Sequence, residues 1–97
     1  MKILITGAST AKAYQLKNRL NSQQVILGDY EEIPDLLLLS GSLIKIANPN
    51  SSNYLQQMVT ICLDHDISGI YPLKEMEIKL LNAAKPLFED YNIQVLT

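Results

Sequence analysis

Three short stretches of the chain carry residue types that could bind or react: Gly7-Ala8-Ser9-Thr10, Asp29 with Tyr30, and Pro72-Leu73-Lys74-Glu75. A glycine followed by hydroxyl residues suits a tight strand-to-helix turn, and Ser9 or Thr10 can cap the helix that follows. Free N–H groups at such a helix start can hold an anion. Asp29 lies 22 residues beyond Gly7; at about 20 residues a dinucleotide fold places an acid on a ribose. Asp29 could equally open a turn or cap a short helix, and both readings stand. The glycine pattern is incomplete. A dinucleotide fingerprint is G-x-G-x-x-G, whereas here Ser9 takes the place of the second glycine and Lys12 that of the third. No Gly-Lys-Ser/Thr follows, so this is not a Walker loop either. Tight NAD binding is not expected and no cofactor is assigned; weak nucleotide binding stays open.

Elsewhere the chemistry is thin. Glu75 and Glu77 stand two apart on an expected helix, point in different directions, and read as surface charge. Asp64-His65-Asp66 reads as a solvated helix end, with His65 suited to the last turn. The single cysteine, Cys62, excludes an internal disulfide and a cysteine zinc cluster. It falls on an apolar helical stripe, so it reads as a core residue rather than a nucleophile. No catalytic residue and no metal ligand is assigned.

The three stretches need a scaffold that brings several strand ends together. Ile3-Leu4-Ile5, Gln24-Val25-Ile26-Leu27-Gly28, Leu43-Ile44-Lys45-Ile46-Ala47, Gly69-Ile70-Tyr71-Pro72 and Ile93-Gln94-Val95-Leu96 are short runs rich in apolar residues, as strands of a doubly covered sheet are. Lys45 interrupts its run, which marks an edge strand. Between them the spacing predicts helices over about 10–20 (inner face Ala13, Leu16 and Leu20), 52–65 (Leu55, Met58, Val59 and Cys62) and 73–91 (Leu80, Leu81, Ala84, Leu87, Phe88 and Tyr91). Pro86 predicts a kink or restart in the last of these, and Asn92 can take the left-handed position that ends it. Pro34 can start a short helix over 35–39. Its four consecutive leucines, Leu36, Leu37, Leu38 and Leu39, cannot all face one surface, so they are wrapped from two sides or meet a partner. Strands alternating with helices imply an α/β, Rossmann-like three-layer fold: a five-stranded parallel sheet in the order 3-2-1-4-5 with helices on both faces.

A chain of 97 residues, 47% apolar, makes one domain with a modest core and is too apolar for disorder. A net charge of −2 without a basic patch argues against nucleic acid as a partner. No apolar run approaches the roughly 20 residues of a membrane helix, and no signal peptide stands out, so a cytoplasmic protein without a membrane partner is the expectation.

Taken together, Lys2-Ile3-Leu4-Ile5-Thr6-Gly7-Ala8, Val25-Ile26-Leu27-Gly28-Asp29, Ile70-Tyr71-Pro72-Leu73-Lys74-Glu75-Met76-Glu77 and the closing run from Leu87 to Leu96 resemble the N-terminal pre-ATP-grasp domain. That domain precedes the ATP-grasp domains of biotin carboxylase, the carbamoyl phosphate synthase large subunit and related carboxylate–amine ligases. The resemblance covers nearly the whole chain and rests largely on core and turn residues. It implies one wall of an active-site cleft that contributes to substrate binding or dimerisation, with the ATP-handling lysines and metal-binding acids in the ATP-grasp domains beyond. By position, Gly7, Ala8, Ser9, Lys74 and Glu75 match the family's substrate-side loops, and Asp29 the residue ending the second strand. The expectation is a non-catalytic, stand-alone module that binds a small ligand or a partner protein. Its expected partners are a second copy, through Leu36 to Leu39, or an ATP-grasp protein. The alternatives are an in-trans component of an ATP-grasp ligase and a nucleotide sensor using Gly7 and Asp29.

Overall fold

Strands that are apolar without interruption need cover on both faces, and the chain folds to supply it. A computed structural model describes residues 2–8, 10–20, 24–31 and 43–97. The elements are β1 (Lys2–Thr6), α1 (Ala11–Arg19), β2 (Gln24–Asp29), β3 (Leu43–Lys45), α2 (Tyr54–Asp64), β4 (Gly69–Tyr71), α3 (Glu75–Ala83), α4 (Lys85–Glu89) and β5 (Gln94–Val95). All four strand pairs are parallel and the order is β3-β2-β1-β4-β5, as the strand–helix alternation predicts. β1 is central, with Leu4 opposite Ile26 on one side and Ile70 on the other.

Side chains alternate across the sheet. Ile3 and Ile5 join Ala13 of α1, Leu27 and Leu43 in one core. Leu4 joins Met58 and Cys62 of α2, Leu81 of α3 and Phe88 of α4 in the larger core on the other face. At Gly28 side chains from the flanking strands leave no room for a larger residue: a Cβ there would lie 2.8 Å from Ile46 Cγ2 and 3.0 Å from Leu4 Cδ1.

The helix expected over 73–91 restarts as Pro86 predicts, giving α3 and α4, because a proline near the start of α4 cannot continue the preceding helix. Other expectations are corrected. α4 is so short that Phe88 alone fills its inner face, leaving Leu87 and Tyr91 exposed rather than buried. Asn92 is left-handed (φ 61°), as expected. Thr10 occupies the cap position of α1 but does not cap it; its hydroxyl turns back and donates to the Gly7 carbonyl at 2.8 Å. Likewise α2 begins after Asn53 rather than at Ser52, and the Ser51 hydroxyl donates to Asn53 Oδ1 at 2.6 Å. Lys45 is exposed on edge strand β3, as its charge implies. Ser9 and the leucines Leu36 to Leu39, with the short helix expected around them, lie outside the described residues. Among the described residues no helix is long and apolar enough to cross a membrane.

Candidate functional site

The carboxyl ends of β1, β2 and β4 meet at a rim on either side of the point where strand order reverses. Gly7 makes the meeting possible. Its φ of +75° is left-handed, and a Cβ there would sit 3.3 Å from Leu73 Cβ and 3.4 Å from Lys74 Cγ. A glycine is therefore what lets the segment after β4 lie against the turn after β1. The Ala8 N–H donates to the Gly28 carbonyl (3.1 Å) and the Ile46 N–H to the Asp29 carbonyl (3.0 Å), tying the ends of β1, β2 and β3 together.

Lys74 crosses this junction. Its Nζ lies 3.2 Å from Asp29 Oδ1 and 3.1 Å from Glu31 Oε1, and 4.4 Å from the centre of the Tyr30 ring. The attraction to two carboxylates and a ring face fixes an ammonium that would otherwise be mobile. Burial by itself pulls the Lys74 pKa down, but the hydrogen bonds to Glu31 and Asp29 and the charge of Asp29 outweigh it and leave it raised. Asp29 is buried at 2% exposure, and its Oδ1 also accepts the Glu31 N–H at 3.3 Å. A bond from the amide two residues on is how an aspartate opens a turn, so that reading of Asp29 holds. Its Oδ1 is also engaged by the Lys74 ammonium. Lys45 Nζ closes the outer edge by donating to the Glu31 carbonyl at 2.9 Å.

The expected residues thus separate. Gly7, Asp29 and Lys74 come together; Ala8 is buried beside them; Thr10 is turned toward Gly7; Glu75 is exposed in the first turn of α3. Tyr30 forms part of the cluster, and so does Glu31, which the sequence reading did not single out.

Beneath the rim is a second polar site that corrects the reading of Glu77 as surface charge. Glu77 is wholly buried, and Tyr54 Oη donates to its Oε1 at 3.0 Å. Its other oxygen, Oε2, and the hydroxyl of wholly buried Thr6 have no hydrogen-bond partner. The Thr6 hydroxyl is near enough to favour a charged Glu77, yet it does not reach hydrogen-bond geometry with it. Burial is the largest influence on Glu77 and pushes its pKa above the carboxylate value. Thr6, Tyr54 and Lys74 work against the rise, while Asp29 adds to it. Burial, with the Glu77 charge and hydrogen bond, also raises the Tyr54 phenol. Cys62 is buried in the core, its thiol pushed up to about 12 by burial, as befits a packing residue. The signal for the missed pair was helical spacing. Glu77 precedes Leu81 by four residues, and Tyr54 precedes Met58 by four, so each polar residue extends an inner stripe.

The model of the family described as PylC-like, N-terminal domain, matches residues 3–96. The chain belongs to the PylC-like N-terminal domain family. This family is ATP-grasp-associated and pre-ATP-grasp-like, which bears out the resemblance at the level of the domain. No curated protein matches the chain. Among solved structures, a partial-consensus L-threonine 3-dehydrogenase is similar with a TM-score of 0.60 and 18% identity over 90% of this chain. The chain spans 34% of that protein, and at this identity the likeness concerns the Rossmann-like fold alone.

Proposed function

We propose that this domain is a non-catalytic binding module whose rim forms one wall of a ligand site completed by an ATP-grasp domain. The observation that carries the reading is Lys74, held by Asp29 and Glu31 across the ends of β4 and β2. A lysine kept protonated is neither a nucleophile nor a base; it is a fixed charge that positions what lies against it. The ammonium groups of Lys74 and Lys45 are balanced by the carboxylates of Asp29 and Glu31, so the rim carries no surplus positive charge to draw a polyphosphate. The Glu31 carboxylate, on a side chain 56% exposed, is open to a small ligand or protein surface that presents an ammonium group. Membership of an ATP-grasp-associated family supports the partner half of the proposal.

The test is an amide-shift titration by NMR with Mg-ATP, with NAD and with a simple alkyl diamine. Shifts at Gly7, Thr10, Asp29 and Lys74 with the diamine alone are expected. The same shifts with Mg-ATP or NAD at millimolar concentration would overturn the reading in favour of a nucleotide sensor. ATP turnover by the purified domain, persisting through further purification, would overturn its non-catalytic part.

A further inference from the structure

The Thr6–Glu77–Tyr54 site is not absorbed by a binding role for the rim. Glu77 sits in the first turn of α3, with no surface exposed, and one hydrogen bond serves its carboxyl. An ionised carboxylate removed from water needs a cation or several donors; without them it takes a proton instead. The ionisable groups that act on it are Tyr54 from α2, Asp29 at the end of β2 and Lys74 just before α3; Thr6 of β1 adds a hydroxyl. Tyr54 gives a neutral hydrogen bond, and Lys74 is paired with Asp29 and Glu31. Glu77 Oε2 has no hydrogen-bond partner and the Thr6 hydroxyl does not reach it, so a proton on the carboxyl is what removes the cost of burying a bare anion.

We propose that Glu77 is a proton-binding site of the folded domain, a neutral acid that accepts from Tyr54 at Oε1 and is charge-coupled to the Lys74–Asp29 pair above it. The proton comes from solvent as the chain folds. Because Lys74 favours the charged form and Asp29 the neutral one, any change at the rim that weakens Lys74 makes Glu77 hold its proton more tightly. The rim and the interior are thereby linked through one proton rather than through movement of the backbone.

The experiment follows the Glu77 side-chain carboxyl carbon of the whole chain by NMR from about pH 4 to about pH 8, a span that starts near the ordinary carboxylate value. The resonance is assigned through its own side-chain protons, so no variant need fold. The expected result is a midpoint well above that value; ionisation at or below it overturns the proposal. Asp29→Asn and Lys74→Met test the coupling. The first is expected to lower the Glu77 midpoint and the second to raise it, each by at least about threefold in proton affinity. A midpoint that moves in neither folded variant overturns the coupling, a result that loss of packing alone would not imitate. Glu77→Gln keeps the shape of the neutral acid and is expected to fold with normal far-ultraviolet dichroism. A Glu77→Gln chain that folds, yet takes up as many protons on folding as the native chain, overturns the assignment of the proton to this residue.

Discussion

Asp29 and Glu77 are both acids at or below 2% exposure, on neighbouring elements of one small domain, and they meet burial in opposite ways. Asp29 lies at the end of β2, within reach of the Lys74 ammonium at 3.2 Å and of a backbone N–H. Glu77 lies in the first turn of α3, where Tyr54 is its hydrogen-bond donor. The first site holds its charge with an opposite charge; the second is resolved by a proton. The contrast follows from geometry. A lysine stem can lie along the rim while its head stays partly in water, at 19% side-chain exposure. The interior has room for an aromatic ring with a hydroxyl at its tip, and no cation could reach it without being desolvated in turn.

The largest effect should come from breaking the rim pair. Lys74→Met keeps the stem and removes the charge, taking the Lys74 ammonium away from Asp29. Breaking a buried pair costs about 3–5 kcal/mol, and the partial exposure of Lys74 puts the expected loss near the lower figure, about 3 kcal/mol by urea unfolding. A loss below about 1 kcal/mol would mean that the rim behaves as an ordinary surface pair, and the contrast with Glu77 would collapse. Tyr54→Phe is the matching change inside. It deletes the donor to Glu77 Oε1 without opening a large cavity, and should destabilise by about 2 kcal/mol, the usual cost of one orphaned buried acceptor. Parity with Lys74→Met would indicate that Glu77 carries a charge after all.

The pH dependence separates the sites by the range in which each contribution is lost. The Glu77 pKa is raised, so the folded chain binds that proton more tightly than the unfolded one does. Its contribution is therefore complete below the ordinary carboxylate value and declines as pH rises from there through the folded value, by at most about 1.4 kcal/mol per pH unit. Lys74 is also raised, and its contribution is complete below the ordinary lysine value and fades only as pH climbs through the higher folded one. Unfolding curves at a series of pH values should show the native chain losing stability above the carboxylate range and Glu77→Gln losing less. Parallel curves for the two proteins would remove Glu77 from the account.

The sheet was legible in the sequence because apolar runs such as Ile3-Leu4-Ile5 and Val25-Ile26-Leu27 admit few arrangements other than a covered parallel sheet. Gly7, Asp29 and Lys74 were legible as rim residues for the same reason: topology alone puts the ends of β1, β2 and β4 side by side. What they do to one another was not. That Lys74 closes on Asp29 depends on the left-handed Gly7, whose missing Cβ lets Leu73 and Lys74 approach, a fact of three dimensions. Glu77 was misread because a glutamate is exposed far more often than it is buried. Its spacing to Leu81 and Phe88 pointed inward, and residue type was allowed to outweigh period. Leu87 and Tyr91 erred the other way: their apolar character was extended through Pro86 as though one helix continued, and the restart turned both outward.

The smallest change sharpens the rim half of the contrast. Glu31 shares Lys74 with Asp29 at nearly the same distance, 3.1 Å against 3.2 Å, but its side chain is 56% exposed where that of Asp29 is 3% exposed. Water and salt screen the first contact and hardly reach the second. Glu31→Gln should therefore cost about 0.5 kcal/mol, and that cost should shrink further at about 1 M salt, while the Lys74→Met loss persists there. The Glu31 backbone N–H still donates to Asp29 and its carbonyl still accepts from Lys45 in this variant, so only the carboxylate is being weighed. A salt-resistant loss comparable to that of Lys74→Met would show that Lys74, Asp29 and Glu31 act as one cooperative triad. The rim would then hold its buried charge by sharing a cation between two acids rather than by pairing it with one.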